Sequence, residues 1–396
     1  MFFFLKTKIF HNKFVTKQNN SDICILTYPI KQLLSMKTTH YLLVACVVAV
    51  AVSLTSFRPQ QQQRYAVYAV AFYNLENLFD TVHDVVLDTI DGRVVKIEDK
   101  NDYEYLPDGA NHWNAFKYKN KLRNMAYALS QLAIDKLPLG PAIIGVSEVE
   151  NRLVLEDLLK QSDLKDKGWK IIHEDGPDRR GVECAFFYNP KLFKYHHHRL
   201  VPYIYPNNDT THRTRGFLIA TGTIAGEDVH VIVNHWPSRG AVSFFREHAG
   251  KQVRAVKDSL QRENPHCKII IMGDMNDDPD SPSMAKSLGA KRNAKDCKEQ
   301  DLFNPWWNIL RKEGRGTLRW DGRWNLFDQI VFTGNFLGFD FNNLKYHKSE
   351  IFQRDFLMQQ EGKFKGNPKR THASGVWLNG YSDHLPTIVY FKKQLN

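Results

Sequence analysis

Four apolar runs in this chain end in groups able to do chemistry. Ala71-Phe72-Tyr73 runs into Asn74-Leu75-Glu76-Asn77 and Ile143-Ile144-Gly145-Val146 into Ser147-Glu148. Val231-Ile232-Val233 runs into Asn234-His235, and Ile269-Ile270-Ile271-Met272 into Gly273-Asp274-Met275-Asn276. Ser382-Asp383-His384 leads into a further apolar run. Carboxylates are rarely buried unless paired or bound to a cation, so their repetition at the ends of buried-looking strands points to convergence on one rim. Glutamate, aspartate and asparagine are hard oxygen ligands suited to Mg²⁺, Mn²⁺ or Ca²⁺, and no cysteine cluster or zinc-type histidine motif competes with them. Such a cation with carboxylates and two histidines suits phosphoryl chemistry. The cation neutralises phosphate oxygens, a carboxylate aligns or deprotonates water, and an imidazolium donates to the developing pentavalent centre.

The elements that must position these groups read as strands at 65–73, 142–146, 169–173, 182–188, 217–224, 229–233, 268–272, 326–332 and 386–391. Helical spacing joins Leu122, Met125, Ala126, Leu129, Leu132 and Ala133, and again Val253, Val256 and Leu260. Gly226-Glu227-Asp228 and Ile90-Asp91-Gly92-Arg93-Val94 signal hairpins. No internal repeat is visible. Strands interspersed with helices predict an α/β protein with mixed sheets.

The motifs Tyr73-Asn74-Leu75-Glu76-Asn77, Gly145-Val146-Ser147-Glu148, Asn234-His235-Trp236-Pro237-Ser238, Gly273-Asp274-Met275-Asn276-Asp277-Asp278-Pro279 and Tyr381-Ser382-Asp383-His384-Leu385-Pro386 resemble the endonuclease/exonuclease/phosphatase superfamily. They stand in that family's order, over residues 69–390, and are most similar to its exported bacterial branch. The resemblance implies a four-layer α/β/β/α sandwich of two mixed, largely antiparallel sheets, with the site at one end. It implies Glu148 as principal metal ligand, Asn74 and Glu76 as support, and Asp383 as a further ligand. It implies Asp274 on the attacking water, Asn276 on the phosphate, His384 on the transition state with Asp328 orienting it, and His235 as a second phosphate-contacting histidine. Arg180 is a candidate phosphate-binding residue. Glu76 stands where the abasic-site repair enzymes of the family carry aspartate, and no counterpart of their active-site tyrosine is evident; both departures speak against repair specificity.

With 42% hydrophobic and 24% charged residues, the chain is neither fibrous nor disordered by composition. Its formal charge is +11, but six lysines and one aspartate fall in the first 56 positions, so the excess beyond them is milder. It still favours anionic partners. Residues 41–54 form an apolar run shorter than the roughly 20 residues a spanning helix needs. Residues 36–56 are therefore expected to be a signal peptide, 57–64 a linker and 65–396 the catalytic domain, with 1–35 an upstream extension of no assigned role. That leader predicts a periplasmic or secreted protein. Cys184, Cys267 and Cys297 would remain after its removal, allowing at most one disulfide; Cys184 and Cys267 read as small core residues.

Two regions bear on substrate choice. Residues 80–113 carry nine acidic and three basic residues, which would repel a polyanion near the Asn74 rim. Asn304-Pro305-Trp306-Trp307 and the stretch from Arg311 to Trp320 mix basic and aromatic residues, a composition suited to splayed bases or to a lipid interface. The three consecutive histidines from His196 to His198 alternate faces on an extended chain and read as solvated surface. The expected function is an exported, metal-dependent phosphodiester hydrolase acting on nucleic acid as an endonuclease. A phospholipid headgroup is the alternative substrate, and a catalytically silent binding module is the reading from a different class.

Overall fold

The computed structural model describes residues 63–209, 211–373 and 375–395. The expected upstream extension and signal peptide, and the linker up to residue 62, lie outside the described residues.

Thirteen strands build two sheets. The first holds β1 (Tyr65–Leu78), β2 (Ile143–Val149), β3 (Lys170–His173), β4 (Glu183–Tyr188), β12 (Lys345–Ile351) and β13 (Thr387–Gln394), in the order β12-β13-β1-β2-β4-β3. The second holds β5 (Phe193–Val201), β6 (Phe217–Ile224), β7 (Glu227–His235), β8 (Lys268–Asp274), β9 (Ala290–Lys291), β10 (Leu302–Phe303) and β11 (Asp328–Thr333), in the order β9-β10-β11-β8-β7-β6-β5. Pairing is antiparallel except between β1 and β2, β7 and β8, and β9 and β10.

The second sheet shows why four layers form. Along β8 the side chains alternate. Ile270 and Met272 join the core shared with the first sheet, while Ile269 and Ile271 join a separate cluster with Ala249, Val253 and Leu260. Those three lie on helix α3 (Ser243–Glu263), which covers the outer face. Helix α1 (Ala115–Ser130) and helix α2 (Arg152–Leu159) bury Leu122, Met125, Leu129, Val154, Leu155 and Leu158 on the other side, in the first core. A strand apolar on both faces is what a sheet covered on both sides requires. Asparagines cap both of those helices: Asn114 accepts from the N–H groups of Phe116 and Lys117, and Asn151 from that of Val154.

Gly145 of β2 packs directly against the second sheet. A Cβ there would lie 2.5 Å from Met272 Sδ and 3.0 Å from Val233 Cγ2. Any side chain at this position would force Met272 and Val233 of the second sheet to repack.

All nine strands read from the sequence are present. The other four strands of the two sheets were not expected: β5 and β12 are half-exposed edge strands without a clean apolar alternation, and β9 and β10 are only two residues each. The β6–β7 turn is Ala225-Gly226, one step earlier than expected, with both residues at positive φ (55° and 77°) and Ile224 paired with Glu227. Asp91 and Gly92 make the same kind of turn between strands 85–90 and 93–99. Cys184, Cys267 and Cys297 are free thiols, the first two buried. Trp306 is fully buried and donates its indole N–H to Ile330 O, so that half of the basic and aromatic stretch is core. Trp320 stays half-exposed.

Candidate active site

Strand register assembles the centre. Asp274 ends β8, with His235 as its Cα partner on parallel β7 and Asp328 as its partner on antiparallel β11. Partnered residues share a face of the sheet. The series Ile270-Met272-Asp274, Val231-Val233-His235 and Phe332-Ile330-Asp328 all belong to the face packed on the first sheet. The polar ends therefore converge toward β1 and β2.

Asp274 Oδ2 is the point of convergence. Asn74 Nδ2 donates to it at 3.1 Å, while His235 Nε2 and His384 Nε2 lie 3.7 and 3.9 Å away. His235 Nε2 is also 3.7 Å from Glu148 Oε1. His384 Nδ1 is 2.8 Å from Asp328 Oδ2, which is fully buried, and Ser382 Oγ donates to Asn74 O at 2.7 Å, fixing the His384 loop against β1. Asn276 donates from Nδ2 to Trp236 O at 3.0 Å, and its backbone N–H to Asp274 Oδ1 at 2.9 Å. Asp277 and Asp278 serve the loop: Arg246 and Ser283 hold the first, and Arg239 and the Leu326 N–H hold the second.

The backbone is bent at these ends. The β1–β2 register shifts between Asn74 and Leu78, and the β2–β4 register between Ser147 and Val149. Glu76, Asn77, Glu148 and Asn276 all take left-handed backbone, with φ of 47°, 55°, 57° and 50°. Bulges of this kind re-aim a side chain out of a pleat, and residues held left-handed cluster at functional sites. The Asn77 N–H donates to Glu148 Oε2 at 3.1 Å, so one bend holds the other.

Neighbouring charges give the two buried histidines opposite character. Burial disfavours the His384 imidazolium, but the Asp328 and Asp274 charges outweigh it and hold this group well above its ordinary value. His235 is held well below, by burial first and then by Arg215, Arg180 and His384. Burial pushes Asp274 up to about 7 against the pull of His384. The centre thus holds a charged imidazole, a neutral one and a carboxyl poised near neutrality.

The expected ligand set is divided. Glu148, His235 and Asp274 each offer an atom within 4.8 Å of the others, as do Asp274, Asp328 and His384. Glu76 and Asp383 are held elsewhere. Glu76 accepts from Arg370 Nε at 3.0 Å and from the Thr371 N–H at 2.6 Å, and Arg370 Nη2 lies 3.1 Å from Asp383 Oδ2. Beneath them Lys121 of α1 is fully buried and donates to Thr371 Oγ1 at 2.6 Å and to Tyr381 O. Arg180 stands at the rim, donating to Asn77 Oδ1 at 3.2 Å.

Sequence reading missed Arg370, Lys121 and Arg215. Buried Arg215 donates to the carbonyls of His235 and Trp236 and pairs with Asp178 at 3.2 Å, locking the loop after β7. Only Lys121 carried a signal, a charge beside Leu122 on an otherwise apolar helical face. Four of the nine acidic residues in the 80–113 stretch are paired: Asp84 with Lys100, Asp99 and Asp102 with His83, and Glu98 with Arg179.

Residues 69–393 match the endonuclease/exonuclease/phosphatase family, and the chain belongs to it. No curated protein matches it. Similar solved structures include an endonuclease/exonuclease/phosphatase family protein from Bacteroides thetaiotaomicron, 14% identical with a TM-score of 0.48 over 84% of this chain and 97% of that one. TDP2 from D. rerio, complexed with single strand DNA product, is 14% identical with a TM-score of 0.47, covering 82% and 99%. ANGEL2, a 2',3'-cyclic phosphatase, is 14% identical with a TM-score of 0.48, covering 85% and 100%.

Proposed function

We propose that this chain is a divalent-metal-dependent phosphodiester hydrolase that cleaves nucleic acid as an endonuclease. The observation that carries the reading is the convergence of Asn74, His235 and His384 on one oxygen of Asp274, with Asp328 behind His384.

Water adds to phosphorus, its proton passes to the Asp274 carboxylate, and the ester P–O bond breaks, the leaving oxygen departing with the bonding pair and taking a proton from solvent. His384, held as imidazolium by Asp328, donates from Nε2 to an oxygen of the developing centre; Asn276 and His235 position the phosphate. Glu148, His235 and Asp274 each offer an atom within 4.8 Å of the others, and the two carboxylates among them fit a hard cation. Bound there, Mg²⁺ or Mn²⁺ would neutralise phosphate oxygens. Family-typical support from Glu76 and Asp383 requires the Arg370 guanidinium to move aside.

We further propose that residues 36–56 are a leader removed on export, leaving 65–396 as the catalytic domain; N-terminal sequencing of native material tests it, and an intact Met1 terminus would refute it. For the activity, plasmid DNA, RNA, sphingomyelin and phosphoinositides are offered to the mature chain with Mg²⁺ or excess chelator. Nicking of nucleic acid that stops in chelator is expected. Turnover of phospholipid without cleavage of DNA or RNA, or full cleavage in chelator, overturns the reading.

A further inference from the structure

A groove of about 580 Å³ opens beside the centre, lined by Arg319, Lys363, Lys365 and Arg370, with Phe364 on its edge and Glu361 as its one acidic residue. Both walls are tied to catalytic elements. One is the hairpin of strands Leu318–Trp320 and Arg323–Asn325. At its base, Thr317 O accepts the Leu385 N–H at 2.7 Å, and Thr317 Oγ1 accepts the Asp328 N–H at 3.4 Å. The other is a closed loop in which Gln359 and Asn367 share one backbone bond and Gly366 returns another, each 2.8 Å, so that its tip presents Lys363-Phe364-Lys365 to solvent. That second wall continues into Arg370, which reaches Glu76 and Asp383. The groove therefore starts at the reacting end of the sandwich and runs outward between two loop tips.

Its chemistry selects the occupant. Arg370 is already paired with Glu76 and Asp383, and Arg319, Lys363 and Lys365 against Glu361 still leave a cationic surplus that favours a polyanion. Phe364 is 50% exposed and Trp320 53% exposed, each next to a cation in sequence. An exposed ring offers its face to an unpaired base, which a duplex does not present. We propose that this groove binds a single-stranded stretch of nucleic acid flanking the scissile phosphate, with Arg319, Lys363 and Lys365 on its phosphates and Phe364 stacked on a base. The inference deepens the nuclease reading and rests on it for the identity of the polymer.

The test measures binding in chelator, so that it does not depend on cleavage. A fluorescently labelled ten-residue deoxythymidine oligonucleotide is titrated with the full chain by polarisation at several salt concentrations. Lys363→Ala/Lys365→Ala is expected to weaken binding about tenfold at low salt and to flatten the log–log salt slope by about 1.4. Phe364→Ala is expected to weaken binding severalfold at every salt concentration without changing the slope. Lys251→Ala, at an exposed position on α3, serves as the control and should leave binding unchanged. Unaltered affinity and slope in the double lysine variant overturn the inference, as does a loss of phosphatidylserine-vesicle binding in that variant with oligonucleotide binding intact. Oligonucleotide binding that behaves as expected in a chain that cleaves no nucleic acid would refute the nuclease reading and leave the groove standing.

Discussion

Asp274 and Glu76 are both buried carboxyls pushed up to about 7, yet different parts of the molecule hold them. The partners of Asp274 come from strand ends and the loop entering β13, so sheet register fixes their places. The partners of Glu76 are Arg370 and Thr371, from the segment between β12 and β13, with Lys121 beneath on α1. Burial drives both shifts; repulsion from Asp383 adds to the second, while Lys121 and Arg370 oppose it. Similar acidity thus coexists with different support. One carboxyl is built into the scaffold, whereas the other is held partly by an arginine side chain that is 45% exposed.

The largest effect expected from breaking this comparison is at Asp274. Asp274→Asn should lower kcat on a diester substrate by roughly 10²–10⁴-fold at every pH, because the proton acceptor is gone. A loss confined to KM would instead make Asp274 a substrate-binding group. Next comes Asp328→Asn. His384 is held above its ordinary value, so its imidazolium persists as pH rises until that raised value is passed; removing the Asp328 charge lowers it. The alkaline limb of the rate profile should move to lower pH, each pH unit of movement removing about tenfold of the rate on that side. An unmoved limb, with chemistry rate-limiting, would show that Asp328 does not tune His384.

Gly145→Val probes the built-in half from behind. It should cost about 1–3 kcal/mol in denaturant unfolding, since Met272 and Val233 leave no room, and should lower activity more than it changes Mn²⁺ binding. A variant as stable as the parent would mean that the sheets part easily there. The smallest effect is expected at Arg370. Arg370→Gln should lower stability by about 1 kcal/mol or less, the pair being partly solvated, and Mn²⁺ should restore it by occupying the freed carboxylates. Calorimetric titration should show Mn²⁺ binding severalfold tighter than to the parent. Weaker binding would mean that the guanidinium organises this half for the cation instead of competing with it.

The sequence made the scaffold-borne half legible and the other half only in part. Asp274 and His235 terminate apolar strands, and period-two patterning with strand pairing is enough to bring them together. Glu148 and Asn74 follow for the same reason, whereas Asp328 lies inside the run read at 326–332 and is placed through the family resemblance. Arg370 lies in a stretch without periodicity, about 290 residues from Glu76, and a charged residue in such a stretch looks like any solvated arginine. The division of the ligands between Glu148 and Arg370 is therefore a tertiary fact. So is burial of Trp306: a tryptophan beside basic residues reads as surface until its indole finds Ile330 O.

The left-handed residues at the strand ends carry a consequence for evolvability. Asparagine tolerates that backbone and stands there at Asn77 and Asn276, but glutamate does not favour it and stands there at Glu76 and Glu148. Selection for thermal persistence alone would drift Glu148 toward glycine or asparagine, each relieving backbone cost at the position the proposed chemistry most needs. Stabilising screens run without an activity readout would therefore be expected to erode this rim first.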